Sequence, residues 1–333
     1  MFDPDAEAEL TISVITRGRI DWVTQRRLRL PRGVTTRDPA PIAGRAYLPR
    51  VSARAAVLLI GGSEGGIPAL RAAQLAGRGV AVLAQAWHGW PGTPDAPANC
   101  PIEQFEAGLR WLRRHTGVDR PAVWGSSRGS EAAVLLADKV GRAIGRLILW
   151  VPTHLSHGAL APGSRDFRDE RDAMWTIAGA PISPIRWDGP HLDMEQARAE
   201  ALGRLPGWRA SDHYAMLWSA AGAEKFALPT LGIRAPTLLV AGADDGLWPS
   251  ATGATHLHRR LAPYVSTKLR IFDDVGHTIP VPGDPIPFVR TRIWRGQFGV
   301  ESGYIDVGGE PAATAAAARA SFEEAVSFLI TGD

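Results

Sequence analysis

The tightest constraint on this chain is the run Ala122-Val123-Trp124-Gly125-Ser126-Ser127-Arg128-Gly129-Ser130-Glu131. A short apolar stretch enters a Gly-x-Ser-x-Gly pentapeptide and leaves as an Ala/Leu-rich helical pattern, which is the sequence form of a nucleophile elbow. Gly125 and Gly129, two residues to either side of Ser127, remove side chains that would collide in so sharp a strand-to-helix turn. The Ser127 hydroxyl is then expected to stand exposed at the edge of a sheet.

The elements around this run predict what sheet that is. From residue 55 onward, buried-strand runs alternate with helical periodicity, the signature of a mostly parallel sheet covered on both faces. Strands are predicted at residues 55–60, 80–87, 122–126, 147–151, 237–240 and 268–272. Helices are predicted from near Pro68, over residues 102–115 and 128–140, near 250–261 and over about 312–329. Before residue 50, extended stretches at 20–30 and 46–48 flank a turn-rich segment and predict an N-terminal hairpin. Between about 153 and 231 the alternation stops. Gly and Pro are frequent there, and Trp175, Trp187, Trp208, Tyr214 and Trp218 are spread through the stretch.

The expected organisation is therefore a doubly wound α/β core over residues 51–152 and 232–333. Residues 1–50 form a β-hairpin extension and 153–231 an inserted cap.

Composition narrows the function classes. The 45% hydrophobic and 21% charged content of the 333 residues is ordinary for a folded protein. The net charge of +3 comes with only three lysines, Lys139, Lys225 and Lys268, and the arginines form no domain-scale basic stripe, so no nucleic acid partner is expected. The single cysteine, Cys100, excludes an intrachain disulfide and a cysteine metal cluster, and its Ala98-Asn99-Cys100-Pro101 setting reads as a loop. No run approaches the roughly 20 apolar residues of a membrane span, and the acidic start does not resemble a secretion signal. A cytoplasmic location without membrane contact is the expectation; oligomeric state is left open.

A serine hydroxyl is a weak nucleophile at neutral pH and needs a base and an orienting carboxylate. The loop after the strand at 237–240 carries Asp244-Asp245, and the loop after the strand at 268–272 carries Val275-Gly276-His277. Loops that follow different strands of one parallel sheet converge at its carboxyl edge, so the order Ser127, Asp245, His277 satisfies the triad. Asp244 is the neighbouring alternative. Backbone N–H groups suit the oxyanion because they need no reorganisation as charge develops. Arg128 supplies one candidate, and Ser63 in Gly61-Gly62-Ser63-Glu64-Gly65-Gly66 the second, with Glu64 beside it.

His88, between Trp87 and Trp90, follows a strand on the same edge and reads either as a substrate contact or as packing. The pairs His154/His157 and His256/His258 have no carboxylate or cysteine at ligand spacing in the sequence, so neither a metal nor a cofactor is expected. The tryptophans and Tyr214 of the 153–231 stretch read as its small core or as walls of an acyl pocket.

Together, Gly61 to Gly66, Pro101-Ile102-Glu103-Gln104-Phe105, Gly125 to Glu131, Gly242-Ala243-Asp244-Asp245 with Trp248, Gly276-His277 and the tail Gly308-Gly309-Glu310-Pro311 resemble one family. It is the C-terminal catalytic domain of acyl-CoA thioester hydrolases and bile acid-CoA:amino acid N-acyltransferases, within the α/β-hydrolase superfamily. The chain looks like a short, bacterial-type member, with only about fifty residues ahead of the catalytic part. The resemblance implies Ser127 as nucleophile, Asp245 as acid and His277 as base. It also implies that a serine rather than a cysteine nucleophile goes with thioester hydrolysis rather than acyl transfer to an amine. The expected activity is cleavage of a small-molecule acyl thioester, acyl-CoA first, through an acyl-Ser127 intermediate. The rivals are a carboxylesterase or lactone hydrolase, an acyltransferase or cyclase of secondary metabolism, and a non-catalytic ligand-binding pseudoenzyme.

Overall fold

The computed structural model describes residues 8–16, 19–28, 30–94, 97–159, 173–185, 209–282, 290–293 and 303–332; at 8–16, 19–28, 290–293 and 303–305 only the backbone is described. An antiparallel pair, β1 (Ala8–Thr16) and β2 (Arg19–Leu28), comes first. The central sheet contains β3 (Val34–Arg37), β4 (Gly44–Pro49), β5 (Ala55–Ile60), β6 (Val80–Gln85), β8 (Ala122–Ser126), β9 (Leu147–Trp150), β12 (Thr237–Gly242) and β13 (Thr267–Phe272). Its order is β13-β12-β9-β8-β5-β6-β4-β3. β3 and β4 are antiparallel to their neighbours, and every other pairing is parallel.

The inner strands form where apolar runs can be buried on both faces: every residue of β5, β6, β9 and β12 is buried. Alternation sorts them. Val57 and Leu59 face α1 (Ala69–Gly77) and α6 (Pro311–Ile330), whereas Leu58 and Ile60 face α2 (Glu103–Thr116), α3 (Arg128–Val140) and α5 (Ser250–Leu261). Each such side chain contributes roughly 1.5–3 kcal/mol of transfer free energy. An eight-stranded, mostly parallel sheet with helices on both faces and a strand-serine-helix turn at its centre is the α/β-hydrolase architecture.

The N-terminal pairing differs from the expectation. The stretch 20–30 does not pair with 46–48; β2 pairs with β1, and β4 joins the central sheet between β3 and β6. The turn at Pro31 to Gly33, where the Val34 amide bonds the Pro31 carbonyl, starts a separate β-branched strand, Val34-Thr35-Thr36-Arg37, that takes the edge beside β4.

Between β9 and β12 the described residues add no strand to the central sheet. A small sheet of β7 (Cys100–Pro101), β10 (Trp175–Ile177) and β11 (Ala180–Pro181) ties this stretch to the core, so Cys100 lies in a short strand rather than a loop. Trp175 is buried against Trp87 and Phe105. Tyr214 and Trp218, on α4 (Ala210–Ser219), join a separate apolar cluster with Leu155, Ile185 and Trp248. Trp187 and Trp208 lie outside the described residues. A further antiparallel pair, β14 (Arg290–Ile293) with β15 (Gly303–Asp306), precedes α6. Among the described residues no helix is long and apolar enough to cross a membrane.

Candidate active site

Ser127 sits between β8 and α3 with φ 52° and ψ −126°, a left-handed conformation that a non-glycine residue adopts only where its surroundings enforce it. The enforcement is visible on both sides. A Cβ at Gly125 would collide with the Gly129 carbonyl and one at Gly129 with the Gly61 carbonyl, so strand, helix and the loop after β5 approach as closely as backbone allows. The Ser127 amide donates to the Trp150 carbonyl across to β9 at 2.9 Å.

Three strand-end loops meet at this serine. His277 Nε2 stands 2.9 Å from Ser127 Oγ, and His277 Nδ1 stands 2.8 Å from Asp245 Oδ2. The other Asp245 oxygen accepts the Leu247 and Trp248 amides at 2.9 and 3.2 Å, so this buried carboxylate is fixed from three directions. An ionised carboxylate only accepts, which makes Nδ1 the protonated nitrogen and leaves Nε2 free to accept from the serine hydroxyl. The His277 amide is itself held by the Val307 carbonyl, and Trp248 packs edge-on to the imidazole at 5.5 Å.

Asp244 faces elsewhere. It binds Arg209 at 2.7 Å and accepts the Gly309 amide at 2.8 Å. Burial works against its charge, but Gly309 and Arg209 outweigh that and hold its carboxyl below the usual range.

The serine itself is not exposed as the sequence led us to expect. Ser127 retains only 9% of its accessibility, because the His277 ring lies against its hydroxyl and the Gly62 backbone against its Cβ, where a Gly62 Cβ would come within 3.1 Å. Of the two expected oxyanion donors, Arg128 is the first residue of α3, directly after the serine. Ser63 is half-buried in the turn after β5, immediately beyond Gly62. The Gly62 amide is engaged by Glu64 Oε1 at 3.1 Å. His88 is buried below this loop against Trp87, with its carbonyl bound by the Gly66 amide; burial lowers its pKa and leaves it neutral.

The side-chain network of several groups beside the site was not read from the sequence. The Arg128 side chain is buried and donates to Glu131 Oε1 at 3.1 Å and to the Tyr214 hydroxyl at 3.3 Å, with its guanidinium 5.5 Å from the Trp248 ring centroid. Glu131 also accepts the His157 amide and faces His157 Nδ1, each at 3.2 Å. Burial raises the Glu131 pKa, but Arg128 and His157 prevail and keep it ionised. Trp218 Nε1 donates to His157 Nε2 at 3.0 Å. The available signal was an acid three residues after an arginine inside an Ala/Leu-rich helix, a spacing that places both on one face.

The structure also corrects the histidine reading, since Glu224 does approach His154 and His256, at 3.8 and 3.6 Å. The two imidazoles are stacked, with centroids 4.2 Å apart and 24° between planes. One ligand atom from each of His154, Glu224 and His256 lies within 4.8 Å of the other two, a spacing at which the three could hold a metal ion.

Residues 209–331 match the family described as BAAT / Acyl-CoA thioester hydrolase C terminal. The family resemblance read from the motifs fits that match, which spans α4 to the end of α6 and contains Asp245 and His277. The chain is similar to the mouse (Mus musculus) acyl-coenzyme A thioesterase 2, mitochondrial, at 26% identity over 80% of this chain and 53% of the relative. It is similar to the mouse acyl-coenzyme A amino acid N-acyltransferase 2 at 26% identity over 80% of this chain and 58% of that one. The chain thus spans about half the length of the curated relatives it matches. A solved dienelactone hydrolase-like promiscuous phosphotriesterase from metagenomic libraries aligns with 89% of this chain and 99% of its own, at 16% identity and a TM-score of 0.47.

Proposed function

We propose that the chain is a serine hydrolase that cleaves acyl thioesters, acyl-CoA first among them, through an acyl-Ser127 intermediate. The observation that carries this reading is the continuous relay from Ser127 Oγ through His277 to Asp245 at 2.9 and 2.8 Å. The names of the acyl-CoA-processing relatives support the substrate class.

In this mechanism His277 Nε2 takes the Ser127 proton as Oγ attacks the thioester carbonyl, and Asp245 stabilises the imidazolium that forms. The tetrahedral oxyanion is held by the Arg128 amide and a second amide at Ser63. Collapse breaks the carbon–sulfur bond, and the imidazolium protonates the departing thiolate. Water then enters; His277 removes its proton, the hydroxide adds to the acyl carbon, and the Ser127 oxygen leaves with the proton returned by His277. Residues 51–152 and 232–333 act as the catalytic core, and 153–231 as a cap over the acyl site.

The test is a fluorophosphonate label together with turnover of an acyl-CoA panel and p-nitrophenyl esters, each with and without amine acceptors. Wild type should label at Ser127, and Ser127→Ala should lose label and about four or more orders of magnitude in kcat. Survival of thioester turnover in Ser127→Ala overturns the mechanism. Preference for oxygen esters points to a carboxylesterase or lactone hydrolase, and turnover that requires an acceptor points to acyl transfer.

A further inference from the structure

We propose that Arg71, on α1 below the elbow, is a positioning residue that sets the Ser127–His277 approach; the inference rests on the serine mechanism above. Its guanidinium reaches two of the three loops at once. One nitrogen donates to Ser126 Oγ at 2.7 Å, on the residue before the nucleophile, and the other donates to the Ile279 carbonyl at 3.2 Å, two residues after His277. The same group lies 5.2 Å from the centroids of both Trp124 and Trp150. These rings flank the elbow from within β8 and β9, and Trp150 contributes a second donor to the Ile279 carbonyl at 3.3 Å.

The elbow and the histidine loop are therefore joined through one rigid planar fork set against two neighbouring indoles. A guanidinium holds two divergent acceptors and stacks on aromatic faces; an ammonium is a point charge that cannot span both. Arg71 makes no hydrogen bond to Ser127, Asp245 or His277 among those described, so its effect is on where the reacting atoms sit. Misplacement by about 1 Å costs on the order of 100-fold in rate.

The experiment compares Arg71→Lys, Arg71→Met and Ser126→Ala with wild type for thermal unfolding, p-nitrophenyl butyrate kinetics and the rate constant of fluorophosphonate labelling. In folded Arg71→Met, kcat and the labelling rate should fall roughly 10- to 100-fold while KM moves less than about threefold. Arg71→Lys should not restore them, because charge alone does not bridge the loops. Ser126→Ala, which removes one tether, should show a smaller loss that does not add to that of Arg71→Met. Folded Arg71 variants with wild-type kcat, or full rescue by lysine, overturn the proposal. If the arginine variants do not fold, unchanged kcat in Ser126→Ala overturns it alone. A wild-type protein that neither labels at Ser127 nor turns over ester removes the serine mechanism and this inference together.

Discussion

Two arginines bracket the Ser127 elbow, and their surroundings are opposite in kind. Towards α4, Arg128 is buried against the equally buried carboxylate of Glu131, which in turn draws in His157, while Tyr214 and Trp218 close the group. Towards α1, the hydrogen bonds described for Arg71 run to neutral oxygens, and its charge lies against two indole faces. The first region is held by charge balance, so losing one partner leaves an uncompensated charge in the interior. The contacts described for the second act through direction and distance, so a change there moves atoms of the elbow and of the histidine loop. Damage on the α4 side should thus be read in stability, and damage on the α1 side in turnover.

The largest break in that contrast comes from removing one charge. Glu131→Leu leaves the Arg128 guanidinium buried without its carboxylate and should cost about 3–5 kcal/mol. Arg128→Met in the same chain should recover much of that loss, because an apolar pair of similar volume carries no desolvation penalty. Urea unfolding midpoints of the single and double variants measure this. If Glu131→Leu stays within about 1 kcal/mol of wild type, the α4 side is not held by charge balance.

The same contrast explains what the sequence disclosed. Ser127, Asp245 and His277 could be brought together on paper because each follows a strand of one parallel sheet, and the topology fixes where such loops end. The choice between Asp244 and Asp245 needed more than position, and the structure separates them by their partners: Arg209 and Gly309 engage one, His277 the other. The role of Arg71 left no trace in residue type or spacing. It sits on an ordinary amphipathic helix, and one of its acceptors is a backbone carbonyl of Ile279, which any residue would supply. Strand pairing before residue 50 was misread because short apolar runs specify extension but not partner.

Acid should act on the two sides unequally. His154 is 1% exposed, against the edge of Trp218 and stacked on His256, with Glu224 at 3.8 Å. Burial, helped by His256, His157 and Arg260, lowers its pKa to about 3. Between the unfolded value near 6.5 and about 3, the unfolded chain binds a proton that the folded chain refuses, so stability falls as pH falls, by up to about 1.4 kcal/mol per pH unit. His157, whose pKa is lowered chiefly by burial, acts with the same sign. The groups described for the Arg71 clamp, a guanidinium, the Ser126 hydroxyl and the Ile279 carbonyl, do not titrate in this range. Urea midpoints at pH 7, 6, 5 and 4 should therefore decline in wild type and decline less steeply in His154→Gln. Equal slopes in the two proteins would remove His154 from the acid response.

The smallest change sharpens the contrast most. An indole N–H only donates, so Trp218 makes His157 Nε2 an acceptor and places the imidazole proton on Nδ1, facing Glu131. Trp218→Phe keeps an aromatic ring in the apolar cluster but leaves Nε2 buried without that donor, at an expected cost of about 1 kcal/mol. The ionised Glu131 still accepts from Nδ1 and keeps the His157 proton there, so nitrogen chemical shifts of the imidazole should report a lost hydrogen bond at Nε2 with no change of tautomer. Since the relay from Ser127 to Asp245 does not pass through His157, kcat should stay within about threefold of wild type. Arg71→Lys should show the reverse pattern, with an unfolding midpoint near wild type and a depressed kcat. If Trp218→Phe instead lowers kcat as far as Arg71→Lys does, the two sides of the elbow are one mechanical unit, and the division between charge balance and alignment fails.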